Sequence, residues 1–273
     1  MTLPITAVLP VHDEAAYLSA TLEHLVSNGV RILVLDNGST DGTARILDAY
    51  SQHIVARENM PWHGEYELQQ ILTRTSALTS RITEGWIIHQ DADEILTSCD
   101  PGESLRGAIE RIDATGANAI NFEEFVFFPP EGESLAGRDF HALARHYYFF
   151  EPQKHRLMRA WRAGAGLSQT DAGHRLSEAG RQLHPQNLDL RHYPFLSQEH
   201  ARLKYSTRRF AAQDIERGWH HHRRNVQPED MDFPAVNRLK LWEPGQPLDR
   251  SDPWPLHYWV ERKTARVARE LGS

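Results

Sequence analysis

The stretch WIIHQDADEIL (86–96) joins an apolar run to a cluster of acids. The apolar part is typical of a buried strand, and Asp91, Asp93 and Glu94 follow it directly. If the backbone stays extended through Ala92, the carboxylates of Asp91 and Asp93 lie on the same side. Carboxylate oxygens suit Mg²⁺ or Mn²⁺, which take further ligands from substrate phosphates. The stretch therefore predicts a cation site at a strand end, and the alternative is a solvated acidic turn.

The residues before this stretch alternate apolar strand patterns with helix-period segments. The predicted strands are ITAVLPV (5–11), RILVLDN (31–37), HIVARE (53–58) and GWIIHQD (85–91). A β-α-β-α-β-α-β order favours an α/β fold with a mostly parallel sheet, right-handed crossovers and helices on both faces. Ligands bind at the carboxyl ends of the strands in such sheets. Acids stand at three of these ends: Asp13 and Glu14, Asp36, and the pair Asp91 and Asp93.

The second half of the chain is less regular, and we interpret it as an elaboration of the same domain. A helix at about 104–115 precedes the strand pattern NAINFEEFVFFPP (118–130). Shorter strands are predicted in HRLMRAWRAG and LDLRHYPFL. A helix capped by Ser197 runs to Gly218, HHHRR (220–224) is predicted to be an exposed basic patch, and a short helix near 259–271 is the last element.

Composition narrows the class of protein. The chain has 273 residues and a net charge of −7, so its overall electrostatics do not indicate a nucleic-acid partner. Cys99 is the only cysteine, which excludes an intramolecular disulfide and favours a cytoplasmic setting. The first residues lack the pattern of a secretory signal, and no segment approaches the ~20 apolar residues needed to cross a bilayer. Peripheral contact with the inner face of a membrane remains compatible with the sequence.

Three motifs together carry a family resemblance. AVLPVHDEAAYLSATLEHL, VLDNGSTDGTARIL and WIIHQDADEIL, in this order and spacing, resemble the nucleotide-sugar-binding half of family 2 glycosyltransferases with the GT-A fold. The resemblance is strong over residues 4–98. A weaker continuation, from HRLMRAW to HYPFLSQEHARLKYSTRR, is similar to the acceptor half of one bacterial branch. It implies a nucleotide-sugar-binding half at 1–98 and an acceptor-binding half with C-terminal helices at 99–273, both in one GT-A domain.

The resemblance assigns the acids after the apolar run to the donor. Asp91 and Asp93 match the D-x-D motif, which holds Mg²⁺ or Mn²⁺ and the donor pyrophosphate. Asp36 is suited to accept hydrogen bonds from the nucleoside, and Asn37 replaces a second acid found in many relatives. The first turn is implied to wrap the base and ribose; its candidates are Pro10, His12 and Glu14.

Candidates in the second half are implied less directly. His192 matches a histidine of the bacterial branch and is a candidate metal ligand. Lys204, four residues before Arg208 on the predicted helix, is a candidate phosphate ligand, although such a run is often only a solvated face. Asp171 and His174, in TDAGHRL, are the catalytic candidates. Because Arg175 follows His174 where relatives have an acid, the alternatives for the general base are Glu123, Glu124 and Glu178.

These observations predict an inverting glycosyltransferase. It would move a sugar from a nucleotide-sugar donor, expected to be UDP-linked, to a hydroxyl of a glycan, lipid-linked or other acceptor, as in polysaccharide biosynthesis. One alternative is a sugar-phosphate nucleotidyltransferase, but its glycine-rich basic loop is missing from PVHDEAAY (10–17). The other is a non-catalytic carbohydrate-binding protein, which would tolerate loss of Asp91 and Asp93. The pattern specifies neither the sugar nor the oligomeric state.

Overall fold

The computed structural model describes residues 2–220, 223 and 225–270. His221, His222 and Arg224 of the predicted basic patch lie outside this part. The helices are α1 (Leu18–Ser27), α2 (Thr43–Ala49), α3 (Leu68–Thr79), α4 (Leu105–Asp113), α5 (Phe140–Leu143), α6 (Gln198–Thr207), α7 (Ala212–Glu216) and α8 (Tyr258–Glu270). The strands are β1 (Ile5–Val11), β2 (Arg31–Asp36), β3 (Ile54–Asn59), β4 (Trp86–His89), β5 (Glu94–Thr97), β6 (Ala119–Phe128), β7 (His146–Phe150), β8 (Leu157–Arg162), β9 (Gln169–Thr170), β10 (Arg175–Leu176), β11 (Leu188–His192) and β12 (Lys240–Leu241).

The chain forms two compact units that alternate along the sequence. The first consists of the residues up to His63 together with Leu68–Glu123 and His155–Leu190. The second consists of Gly64–Glu67, Glu124–Lys154 and the chain from Arg191 onward. Segments 99–123 and 155–190 therefore pack with the N-terminal strands.

The first unit is built on the predicted parallel strands. Their order is β3-β2-β1-β4, and all three pairings are parallel, with Val8 opposite both Leu33 and His89. β1, β2 and β4 are apolar nearly throughout because both faces of the sheet are covered. Trp86 and Ile88 join one buried cluster, while Ile87 joins a separate cluster. The α/β fold class is confirmed.

Helices α1 and α4 cover one face of this sheet. Leu18, Leu22 and Leu25 of α1 and Leu105, Ile109 and Ile112 of α4 join the cluster that contains the alternate residues of β1. Ser104 begins α4 by accepting a hydrogen bond from the Gly107 N–H, which explains the helix start. The apolar stripe of each helix therefore fixes the sheet whose carboxyl edge carries the acids.

The strands added by the second half pair in antiparallel fashion. β8 lies between β4 and β6 and runs antiparallel to both. In the second unit, the later part of β6 pairs with β7, and β7 pairs with β12. Aromatic residues from β6, β7, α6 and α8 form the core of that unit, including Phe128, Tyr148, Tyr205 and Trp259.

Two elements differ from the sequence-based expectation. Strand β4 ends at His89 rather than at Asp91, because the Glu94 N–H donates to the Asp91 carbonyl and closes a turn over residues 91–94. The premise of an extended backbone at Ala92 is therefore wrong. The helix predicted from Ser197 to Gly218 is broken between α6 and α7. The reason is that the backbone there pairs with Tyr66, which donates to the Arg209 carbonyl and accepts from the Ala211 N–H.

The helices of the described residues are short or carry many charged side chains. None of the helices found there combines the length and the apolar character that crossing a bilayer would need.

Candidate functional site

The carboxyl ends of β1, β2 and β4 meet at one edge of the first unit. Val11 at the end of β1 is opposite Asp36 at the end of β2. On the other side of β1, the Gln90 N–H donates to the Val8 carbonyl. The turns that follow the three strands are therefore neighbours, as the strand order predicts.

Hydrogen bonds join the turn after β1 to the turn after β2. The His12 ring donates from Nδ1 to the Asn37 carbonyl at 2.7 Å. Asp13, with a φ of 54°, accepts through Oδ1 from the Thr40 N–H at 2.6 Å, so its carboxylate caps the neighbouring turn. Two backbone donors complete the junction: Asp13 N–H to Ser39 Oγ, and Glu14 N–H to Thr43 Oγ1. The two turns thus form one structural block, while Pro10 lies within β1 opposite Leu35.

Asp36 and Asn37 are buried at the end of β2. Asp36 is 4% exposed; its Oδ1 accepts from the Ser39 N–H at 3.0 Å, and its Oδ2 pairs with Arg57 at 2.8 Å. Asn37 is 1% exposed, and neither polar atom of its side chain has a hydrogen-bond partner among the described residues. A buried amide without partners is costly, which is typical of a site that receives a polar ligand.

Trp62 covers this block, and the sequence analysis did not single it out. Its ring stacks on the His12 ring with centroids 3.8 Å apart. Gly38 has a φ of 65°, and a Cβ placed there would come within 2.9 Å of the Trp62 backbone nitrogen and Cβ. Glycine is therefore required for the close approach. No periodic or motif signal in the sequence points to Trp62.

An arginine from β8 holds the acids that follow β4. The Arg159 Nη2 lies 2.8 Å from Asp91 Oδ2 and 2.7 Å from Glu94 Oε1. Arg159 and Glu94 are buried, whereas the Asp91 side chain is 37% exposed. Burial raises the pKa of the Asp91 carboxyl, but Arg159, with help from His89, outweighs this and lowers it below its ordinary value. Asp91 is therefore ionised at neutral pH.

The geometry of the acids bears on metal binding. Arg159 engages Oδ2 of Asp91, while Oδ1 lies 3.5 Å from His89 Nε2. Among the residues that the structure describes, no three acids, histidines or cysteines are grouped as a metal cluster. A Mg²⁺ or Mn²⁺ ion that shares its ligands with substrate phosphates needs only one or two carboxylates. The half-buried carboxylates of Asp91 and Asp93 are oxygen ligands of the kind that such a site uses.

Asp171 and His174 lie in the first unit, in a turn with a strained backbone. Asp171, Ala172 and Gly173 have φ values of 50°, 55° and 81°, a run of left-handed residues that is costly for the first two. The His174 N–H donates to the Asp171 carbonyl, and the Arg175 Nε lies 3.7 Å from Asp171 Oδ2. The Asp171 carboxylate is 55% exposed and so is accessible from solvent.

His192 and Lys204 belong to the second unit. The His192 ring donates from Nδ1 to Glu124 Oε1 at 2.6 Å, so Nε2 is the nitrogen through which it could hold a metal. Lys204 donates from Nζ to the Pro194 carbonyl at 3.0 Å. Arg208 is the C-cap of α6, with a ψ of 127°, so it no longer continues the helical face of Lys204. The alternatives Glu123 and Glu178 lie in the first unit, where Glu123 accepts from Asn187.

Comparisons with known proteins find a family-model match in the N-terminal part. Residues 6–121 match the sequence model of glycosyl transferase family 2. No curated protein matches the chain.

Solved structures are similar at low identity. TarS from S. aureus in complex with UDP shares 15% identity over 48% of this chain and 37% of that chain, with a TM-score of 0.36. The mannosyltransferase PcManGT from Pyrobaculum calidifontis, in complex with GDP-Man and Mn²⁺, shares 17% identity over 52% of this chain and 39% of that chain, with a TM-score of 0.34. GalNAc-T7 with UDP, GalNAc and Mn²⁺ shares 14% identity over 71% of this chain and 44% of that chain, with a TM-score of 0.35. The match spans less than half of each of these three chains.

The matched residues 6–121 cover β1 from Thr6 onward and all of β2 to β5, and with them both joined turns and the acids that follow β4. Residues 6–121, which lie on an α/β fold, are therefore similar to glycosyl transferase family 2.

Proposed function

We propose that the protein is an inverting glycosyltransferase that moves a sugar from a UDP-linked donor to a hydroxyl of a glycan or lipid-linked acceptor. The observation that carries the proposal is the pair Asp91 and Asp93 at the carboxyl edge of the sheet, within the residues that match the family 2 model. The exposed third of Asp91 leaves its carboxylate accessible to a ligand at this edge. Residues 1–98 would serve the donor, and the remainder of the chain would serve the acceptor.

The nucleoside would bind at the joined turns after β1 and β2. Asp36 supplies a buried carboxylate, and the Asn37 amide supplies a donor and an acceptor that lack partners among the described residues. A base imide or a ribose hydroxyl offers the complementary groups. Pro10, His12 and Glu14 would border the base and ribose in this arrangement.

The donor diphosphate would lie at the acids after β4. A bound Mg²⁺ or Mn²⁺ would neutralise the charge that develops on the leaving nucleoside diphosphate. Asp91 and Asp93 would hold that ion, and the Thr21 hydroxyl fixes their turn by donating to the Ala92 carbonyl at 2.5 Å. Arg159 holds Asp91 ionised and in place. His192, oriented by Glu124, is a further candidate ligand, and Lys204 a further phosphate ligand.

The acceptor hydroxyl must lose a proton as it attacks the anomeric carbon. We assign this step to the Asp171 carboxylate, with His174 adjacent to it in the same turn. Asp171 sits on a strained backbone, which is common at functional positions, and its exposure leaves the carboxylate accessible to an acceptor. We place the proposed reaction in the cytoplasm, and at the inner face of a membrane when the acceptor is lipid-linked.

The test is calorimetric titration of UDP in the presence of Mn²⁺. Wild-type protein should bind UDP more tightly with Mn²⁺ than with EDTA, and Asp93→Asn should abolish that difference. The control is Asp100→Asn, an acid beyond β5 that caps its own turn through the Gly102 N–H. Metal-dependent UDP binding that survives in Asp93→Asn would show that the metal assignment is wrong.

Transfer itself is tested by release of UDP from UDP-sugars. A UDP-sugar that is turned over faster when a glycan or lipid-linked acceptor is added would support the proposal. Failure of UDP, and of every UDP-sugar in the panel, to bind the protein would overturn it.

A further inference from the structure

A cleft in the second unit lies beside the break between α6 and α7. It has a volume of about 320 Å³, within the range of ~300–1,000 Å³ that is common for ligand pockets. The residues used here are Tyr205, Ser206, Arg208, Arg223, Asn225 and Gln227, and we refer to them as the basic cleft. No aspartate or glutamate lines it among the described residues.

The two arginines of the basic cleft carry uncompensated charge. Neither Arg208 nor Arg223 has a carboxylate partner among the residues that the structure describes. Other arginines of the same unit do have one: Arg138 with Glu133, Arg145 with Glu243, Arg202 with Asp232, Arg238 with Glu261, and Arg266 with Asp230. Arg191, Arg209, Arg217, Arg262 and Arg269 of this unit likewise have no carboxylate partner among the described residues, so the cleft is distinguished by lining one pocket with two such arginines and no acid.

Aromatic rings hold both guanidinium groups in place. The guanidinium carbon of Arg208 lies 5.4 Å from the centroid of the Tyr66 ring, and that of Arg223 lies 5.2 Å from the centroid of the Tyr205 ring. An arginine stacked by its face keeps the N–H groups at its edge for a ligand. In addition, the Arg223 Nε is buried and has no hydrogen-bond acceptor within the described part of the chain.

The broken helix explains why Arg208 reaches the cleft. Because Tyr66 pairs with the backbone at 209–211, α6 stops at Thr207 and Arg208 adopts an extended ψ of 127°. The Arg208 side chain then packs on the ring of the same Tyr66 that interrupts the helix. Tyr66 thus determines both where helix α6 ends and where the Arg208 guanidinium lies.

The pKa of the Tyr205 phenol shows the effect of the positive charges around the basic cleft. Burial raises its pKa, but the positive charges of Arg223, Lys204 and Arg208, with a smaller contribution from His192, outweigh burial and leave the pKa below its ordinary value. The surroundings of Tyr205 therefore stabilise negative charge.

We propose that the basic cleft binds a phosphate-bearing group. Two stacked arginines offer N–H forks that match phosphate oxygens, and Asn225 and Gln227 add neutral donors. The inference rests on the proposed transfer reaction, in which a phosphate occurs either in the diphosphate of the donor or in a phosphorylated acceptor.

The first experiment uses inorganic pyrophosphate as the probe, with EDTA present so that no metal contributes. Calorimetry on the full chain should show that Arg208→Gln and Arg223→Gln each weaken binding about tenfold or more, since a hydrogen bond to a charged group is worth roughly that factor. The matched control is Arg202→Gln on α6, whose guanidinium pairs with Asp232; its affinity should stay within about twofold of wild type.

Charge-conserving variants distinguish the loss of a phosphate contact from a loss of folding. Arg208→Lys and Arg223→Lys should retain part of the affinity, and their thermal unfolding should match that of the glutamine variants. If wild type does not bind pyrophosphate, or if both glutamine variants bind it as wild type does, the inference is overturned.

Two further ligands distinguish the sources of the phosphate. If the cleft serves the donor, Arg223→Gln weakens UDP binding but not uridine binding. If it serves the acceptor, the same variant weakens binding of n-dodecyl phosphate and leaves UDP binding unchanged. If neither ligand depends on Arg223, the inference fails.

Failure of the proposed transfer function would be seen separately. Asp93→Asn should remove metal-dependent UDP binding while pyrophosphate binding in EDTA is retained, because the carboxylates and the basic cleft belong to different units.

Discussion

Arg159 is the residue on which the acids of the first unit depend. It is buried and contacts both Asp91 and Glu94. Its removal takes the cationic partner away from the buried Glu94 carboxylate, so Arg159→Met should lower the free energy of unfolding by about 3–5 kcal/mol. Urea denaturation at pH 7 measures the loss.

Arg162 provides the control for this prediction, since it lies on the same strand and pairs with Asp113 at an exposed position. Arg162→Met should cost no more than about 1 kcal/mol. The double variant Arg159→Met/Glu94→Gln should recover part of the loss. Equal stability of Arg159→Met and wild type would contradict the assignment of Arg159 as the partner that stabilises these acids.

Asp36 is predicted to contact the nucleoside and not the metal. Asp36→Ala should weaken uridine binding about tenfold even with EDTA, because it removes a charged acceptor from a buried site. Asp48→Ala is a matched control, since Asp48 is exposed and is the other partner of Arg57. Calorimetry with uridine measures both. An effect of Asp36→Ala that is seen only with Mn²⁺ present would refute the role.

At the scale of elements, Gly85 sets the start of β4 against β1. Its φ is 80°, and an added Cβ would lie 2.0 Å from the Pro4 carbonyl oxygen. The Pro4 carbonyl also accepts from the Trp86 N–H, so the strand would have to shift. We expect Gly85→Ala to cost roughly 3 kcal/mol or more.

Gly116 is the control for Gly85, because it has a φ of 83° and nothing within 4 Å of an added Cβ. Gly116→Ala should cost only the left-handed strain, about 1–2 kcal/mol. Chemical denaturation of both variants separates the cost of the left-handed backbone from the cost of the steric clash with Pro4. Equal losses would show that the contact with Pro4 relaxes without cost.

The turn that carries Asp171 should affect turnover more than donor binding. General-base catalysis contributes ~10²–10⁴ in rate, so Asp171→Asn should lower kcat by about that factor and leave UDP affinity nearly unchanged. Steady-state rates and UDP calorimetry test the two halves of the statement. The control Arg175→Gln removes the ion pair at 3.7 Å without removing the carboxylate. Near-normal turnover of Asp171→Asn would transfer the role to Glu124 or Glu178.

Sequence patterns predicted the elements better than their ends. The parallel strands and their order along the chain followed from apolar runs, and the acids at their carboxyl ends are neighbours as expected. The end of β4 was missed because the Gln90 side chain, which donates to the carbonyls of Asp91 and Glu94, stabilises a turn that no periodicity encodes. The break after Thr207 was missed because its cause, Tyr66, lies far away in sequence.

The site shows the same division. Asp36, Asp91 and Asp93 were found as acids at strand ends, whereas Trp62 and Arg159 come from later segments of the chain. Arg159 did leave a signal, since a basic residue among Leu157, Met158, Ala160 and Trp161 in a buried strand requires an acidic partner.

At the scale of the whole molecule, donor binding should be visible as stability. A ligand that binds only the folded state at 100 times its Kd adds about 2.7 kcal/mol to the free energy of unfolding. UDP with Mn²⁺ should therefore raise the Tm measurably, and more than UDP with EDTA. A panel of GDP, CDP and ADP under the same conditions identifies the base, and a larger shift with GDP would exclude UDP as the preferred nucleotide.

The alternation of the two units along the chain has a consequence for protein engineering. The polypeptide passes from one unit to the other after residues 63, 67, 123, 154 and 190, so one break in the gene cannot separate them. A fragment ending at residue 98 would lack β8, the antiparallel neighbour of β4, and with it Arg159. A chimera with a single joint near residue 190 would divide the second unit, because Glu124–Lys154 lies before that joint. An exchange of the whole second unit therefore needs a joint at each of the five crossings.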